Sequence, residues 1–152
     1  MSLRERIDAE IKTAMKSKDK VRLETVRGIK KFILEKEVSL RPSGQETLTE
    51  AQELEILMQI AKQRRDSIEQ YRKGGREDLV AQEEAELVIL EEYLPPQISD
   101  EEVSKVVDEV IASVGATSAK EMGKVMGKAM QQLKGKADGN KIQDMVKAKL
   151  NP

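Results

Sequence analysis

The sequence predicts an all-α protein in two helical units, an N-terminal bundle of about four helices and a small C-terminal three-helix unit. Three observations predict this. Apolar residues recur every three or four positions, and no run shows the period of two expected of a half-buried strand. Ser/Thr-x-x-Glu boxes, which cap the first amides of a helix, stand at the head of several of these runs. The breakers are sparse and fall between the runs: Pro42, Gly74-Gly75, Pro95-Pro96, Gly115 and Gly135. A chain of 152 residues has room for one domain or two small ones. Pro95-Pro96 divides it into an N-terminal helical domain, 1–95, and a C-terminal domain, 96–152.

The first helix starts at Ser2, with Glu5 three residues on and Leu3, Ile7, Ile11 and Ala14/Met15 in one stripe. Asp19 caps the second, which carries Leu23, Val26, Ile29 and Ile33 and ends before Pro42. Thr47 and Glu50 form the box of a long third helix with Leu54, Leu57/Met58, Ala61, Ile68 and Tyr71, stopped by Gly74-Gly75. The fourth runs from about Glu77 to Tyr93, with Leu79, Leu87, Leu90 and Leu94 inward, and Pro95-Pro96 ends it. Ser99 and Glu102 open the fifth, a valine-rich amphipathic helix ended by Gly115. Ser118 and Glu121 open the sixth, with Met122, Val125, Met126, Ala129, Met130 and Leu133, ended by Gly135. Asp138 caps the last, which carries Ile142, Met145, Val146 and Leu150.

Composition excludes several chemistries. The chain has no Cys and no His. Thiolate metal sites, cysteine nucleophiles, imidazole ligands and His-containing triads are therefore closed to it. No calcium-loop pattern occurs. We expect no metal, no cofactor and no catalytic residue. No stretch approaches the ~18 apolar residues of a membrane span. With neither cysteine nor an apolar leader, the expected location is cytoplasmic. Three aromatics, Phe32, Tyr71 and Tyr93, are too few to stack a row of bases.

The net charge is only −1, but its distribution is uneven. From Glu77 to Glu109 there are twelve acids and one base, Lys105. From Ala116 to Pro152 there are eight lysines and three acids. Within that basic segment Gly123-Lys124-Val125-Met126-Gly127-Lys128-Ala129 is not a Walker A loop: the glycine spacing is three, Ala follows the Lys, and no strand precedes it. Glycines in a helix cost about 1 kcal/mol each relative to Ala and so require a reason. The plainer reason is a tight crossing with another helix. The other is close approach of an RNA sugar-phosphate backbone, with Lys124 and Lys128 flanking. Lys134-Gly135-Lys136-Ala137-Asp138-Gly139-Asn140-Lys141 joins the last two helices. It reads either as a phosphate seat at a helix N-terminus or as a plain Asp138 cap of the same amides. The Met122, Met126, Met130 stripe reads as core filling, with a partner groove as the lesser alternative. The basic run from Lys62 to Arg76 reads as a solvated helix end.

Four stretches give the chain a family resemblance. They are Arg64-Arg65-Asp66-Ser67-Ile68-Glu69-Gln70-Tyr71 with Gly74, Tyr93-Leu94-Pro95, Met122-Gly123-Lys124-Val125-Met126-Gly127, and Lys134-Gly135-Lys136-Ala137-Asp138-Gly139. Through them, over about residues 1–150, the chain resembles the GatB/YqeY family, its stand-alone YqeY-like members most closely. The last two stretches are the specific ones. The resemblance implies an all-helical, two-part fold. It also implies kinship with the tail of the B subunit of the tRNA-dependent amidotransferase, which forms Gln-tRNA(Gln) or Asn-tRNA(Asn) from mischarged tRNA. That tail looks like a tRNA-contacting appendage. The glutaminase and ATP-dependent activation lie elsewhere in that assembly, so the family's label of carbon–nitrogen ligase with glutamine as amido-N-donor describes more than this chain.

Together these readings predict an accessory protein that binds tRNA or another structured RNA. The expected RNA-binding residues are Lys124, Lys128, Lys134, Lys136 and Lys141, with Gly123, Gly127, Gly135 and Gly139. Contacts would be to phosphate, because lysine is a point charge and aromatics are lacking. The alternative is a helical interaction module whose partners are amidotransferase or translation proteins.

Overall fold

The structure, a computed structural model, describes residues 1–151. Among the described residues every regular element is helical: α1 (Leu3–Ser17), α2 (Lys20–Leu40), α3 (Glu50–Lys73), α4 (Glu77–Glu91), α5 (Asp100–Val114), α6 (Met122–Leu133) and α7 (Gly139–Leu150), with 3-10 turns at Arg41–Ser43 and Ala119–Glu121. The chain divides into two compact units, Met1–Leu94 and Pro95–Pro152.

The caps show how local sequence sets these boundaries. Ser2, Asp19, Ser99 and Asp138 each accept a hydrogen bond from a first-turn amide of α1, α2, α5 and α7. The start of α3 lies two residues beyond the expected box. Thr49 is the cap, its hydroxyl accepting from Gln52 N while Gln52 Oε1 accepts from Thr49 N. Thr-x-x-Glu at 47 and Thr-x-x-Gln at 49 are equivalent patterns, and only the second closes reciprocally. The Ser118–Glu121 box does not form either. Ser118 makes no side-chain capping bond, and Glu121 Oε1 instead accepts from Thr117 N at 3.2 Å.

In the N-terminal unit α2 packs on α1, α3 and α4, and α3 lies along α4. Ile7, Val26, Ile29, Ile33, Leu57, Ala61 and Leu90 form its core. The buried apolar positions of α4 are Val80, Ile89 and Leu90, with Leu94 just past its end, whereas Leu79 and Leu87 are half-buried, Leu87 against the core. Its apolar residues are spread around the helix among six acids, so its sequence periodicity does not select a face.

The C-terminal unit is a three-helix cluster in which α5, α6 and α7 each touch the other two. Val103, Val107, Val110, Val125, Ala129, Leu133, Ile142 and Val146 fill it, none more than 2% exposed. The turn after α6 is of the type that needs glycine at its third position. Lys134 has φ −53° and ψ 121°, Gly135 has φ +78°, and Lys136 N donates to Leu133 O at 2.9 Å.

Candidate nucleic-acid interface

The C-terminal unit brings part of the sequence-derived site together. Along α6 side chains advance about 100° per residue. Val125, Ala129 and Leu133 therefore share the buried face, and Gly123, Gly127, Lys124 and Lys128 share the opposite one, all four exposed. No helix crosses at the glycines. A Cβ built on Gly123 or Gly127 would meet nothing within 4 Å. The tight-crossing reading is thereby excluded, and what remains is a strip of bare, solvent-facing backbone beside two lysines. Met122, Met126 and Met130 lie half-buried at the edge of this strip, packed against the core.

The turn that follows is pinned. Gln97 Nε2 donates to Gly135 O at 2.7 Å and Ile98 N donates to Lys136 O at 3.0 Å. Gly135 is buried and serves the turn; Lys134 and Lys136 are exposed beside it. At the head of α7 Asp138 Oδ1 accepts from Asn140 N at 3.1 Å. A carboxylate therefore already sits where a phosphate would meet the amides, and the plain-cap reading describes the geometry. Gly139 is the first residue of α7, with open space where a Cβ would be. Lys141 departs from the group: its Nζ lies 2.7 Å from Asp100 Oδ1. Lys149 is held likewise by Asp108 at 2.7 Å.

The basic run from Lys62 to Arg76 behaves differently in its paired members, although Lys62 and Arg65 form no ion pair with a described residue. Arg64 binds Glu83 at 3.0 Å and also binds Glu86, Arg72 binds Glu84 at 2.7 Å, and Arg76 binds Asp78 at 3.2 Å. Burial pushes the Glu86 carboxyl above its ordinary value, while Arg64 opposes the rise and Glu83 and Glu24 add to it. This cluster borders a cleft of about 180 Å³ lined by Gly28, Phe32, Arg64 and Ser67 among others. Its charged groups chiefly hold α3 to α4. The hydroxyls of Ser17, Ser39, Ser43 and Ser113 bond main-chain carbonyls, so none of these serines is paired with an activating base. Among the described residues no group of three or more acidic side chains is placed to hold a metal ion, and no helix is long and apolar enough to cross a membrane.

Comparison with known proteins places the chain. The model of the family described as Yqey-like protein matches residues 4–150. The chain is similar to "Altered inheritance of mitochondria protein 41, mitochondrial" of Pyrenophora tritici-repentis, with 31% identity over 153 residues, covering 95% of this chain and 81% of that protein. The protein of the same name from Kluyveromyces lactis is 33% identical over 141 residues, covering 91% of this chain and 71% of the relative. These names correct the expectation of a cytoplasmic protein, because the relatives are mitochondrial. The features behind that expectation, missing cysteines and no apolar leader, bear on redox chemistry and the secretory route and not on mitochondrial import. The all-helical fold, the match across residues 4–150 and the two relatives agree: the chain belongs to the YqeY-like protein family.

Proposed function

We propose that this YqeY-like protein is an accessory RNA-binding protein that holds tRNA, or another structured RNA, on its C-terminal unit. The observation that carries this reading is the α6 face, where a Cβ added at Gly123 or Gly127 would meet nothing within 4 Å and Lys124 and Lys128 stand exposed beside them. A glycine in an exposed helix interior forfeits about 0.5–1 kcal/mol relative to Ala. With no internal packing reason on this face, close approach of an external backbone supplies one. Lysines beside the bare strip would take the phosphates. Recognition would then follow shape and charge more than sequence. The kinship with the amidotransferase B-subunit tail that the family resemblance implies would point the same way. The mitochondrial names of the relatives make organellar tRNA the first RNA to try. We assign no catalysis to the chain alone, so purified protein should release no ammonia from glutamine and consume no ATP.

The test is Gly123→Ala/Gly127→Ala, with retention of total tRNA measured at low salt. The variant should melt higher than wild type and yet bind RNA more weakly. Unchanged or tighter binding would remove the reading. The interaction-module alternative, with amidotransferase or translation proteins as partners, would then lead, and its sign would be co-purification that survives high salt.

A further inference from the structure

We propose, resting on the RNA reading above, that the phosphate-contacting edge is Lys120, Lys124 and Lys128 with Lys136 in the following turn, and that Lys141 and Lys149 are struts which α5 withholds from RNA. Asp100 and Asp108 lie eight residues apart on α5, and their partners Lys141 and Lys149 lie eight apart on α7. Each pair closes at 2.7 Å. The numbers rise together on both helices, so α5 and α7 run in the same direction, and the two rungs stand about 12 Å apart along the helix axes. A lysine balanced by a carboxylate at this distance presents no net charge to a phosphate strand. An incoming phosphate would meet the aspartate as well as the ammonium, and little counterion release would follow.

The lysines of α6 and of the 3-10 turn before it have no such balance. Lys120, Lys124 and Lys128 recur every four residues, all are exposed, and none is ion-paired with a described residue. Gly123 and Gly127 each directly precede a lysine of this row. Bare backbone therefore lies beside each of those ammonium groups, where a sugar-phosphate chain can come close. Residue types alone make the eight lysines of this segment equivalent. The ladder to α5 takes Lys141 out of the expected binding set, the four-residue row on this edge adds Lys120, and Lys134, which has an interaction of its own within the chain, is left out.

The test uses the full chain and a short mixed-sequence RNA duplex, titrated between about 50 and 200 mM salt. Four contacts at about 0.9 each give an expected slope of about −3.6 in log affinity against log salt. Lys124→Gln/Lys128→Gln should shallow it by about 1.8. Removing both whole rungs, by Asp100→Asn, Asp108→Asn, Lys141→Gln and Lys149→Gln together, leaves the net charge unchanged and should leave slope and affinity at wild-type values. Asp100→Asn/Asp108→Asn alone frees two lysines without deleting them and should steepen the slope by up to about 1.8. A slope that shallows with the rungs removed, or stays at the wild-type value in the double Asn variant, overturns the assignment while the RNA reading stands. Should rung removal loosen the fold by circular dichroism, the double Asn variant, which keeps both lysines, still decides. No salt-dependent retention of wild type overturns the RNA reading and this assignment with it.

Discussion

In the N-terminal unit two of the three arginines of α3 meet carboxylates of α4, Arg64 with Glu83 and Glu86 and Arg72 with Glu84, while Arg65 forms no ion pair with a described residue. In the C-terminal unit α6 carries Lys124 and Lys128 with no such partner, while α7 has two of its lysines tied to α5. Both segments read as basic in sequence. Their difference is in the opposing helix, and it teaches that a charge run becomes informative only when its partners are known. Where acids match it, the run serves packing; where they do not, charge remains for something outside the chain.

The largest effects should come from the cores, which test whether the two units depend on packing alike. Leu90 and Ile142 are both 0% exposed. Truncating either to Ala should cost about 2–5 kcal/mol in urea unfolding. A loss below that range at Ile142 alone would mark the smaller unit as loosely packed and break the parallel. Next comes the α7 cap: Asp138→Ala should cost about 1 kcal/mol, because Asn140 N loses its acceptor. The charge comparison predicts smaller changes in stability. Arg72→Gln removes one partner of an exposed pair and should lower stability by about 0.2–1 kcal/mol. Lys124→Gln/Lys128→Gln should stay within about 0.5 kcal/mol and change only RNA retention. Equal loss of RNA retention in the Arg72 variant would erase the distinction drawn between α3 and α6.

The smallest effect concerns Glu86. Its carboxyl is raised, chiefly by burial, so the folded state takes up the proton before the unfolded state does. The stability it adds is full below the ordinary carboxyl value and is lost as pH rises through the raised one. Glu86→Gln should therefore flatten the fall in stability as pH rises above the ordinary carboxyl range. A wild-type profile with no such fall, or one unchanged in the variant, would refute the sign.

Much of the fold was legible because its signals are local. Ser2, Asp19, Ser99 and Asp138 cap the helices they were expected to cap, and Gly115 ends α5 in the left-handed region at φ +66°. The α3 start was displaced because two Thr boxes overlap there. The inward face of α4 was read only in part: Leu90 and Leu94 are buried and Leu87 packs against the core, but Val80 and Ile89 were missed because the apolar residues of this helix are spread around it among six acids. In the candidate site, Lys124 and Lys128 could be read from residue type and spacing. The standing of Lys141 could not, because Asp100 lies 41 residues away in sequence and meets it only across the packed α5–α7 seam. Nor could the emptiness beside Gly123 and Gly127, since a helical glycine looks the same whether a neighbour fills its place or not.

The pinned turn after α6 bears on how the C-terminal unit can be transplanted. Gln97 Nε2 binds both Pro95 O and Gly135 O, and Ile98 N binds Lys136 O, so the first residues of this unit are clasped from within it. A segment whose opening strand of chain is fastened to its own interior turn sets its own starting register. It can be spliced behind an unrelated helix without redesign of the joint, provided that the splice leaves Gln97 intact. Gln97→Ala in such a graft should fray the junction, raising amide exchange at Ile98 before any other amide of the unit.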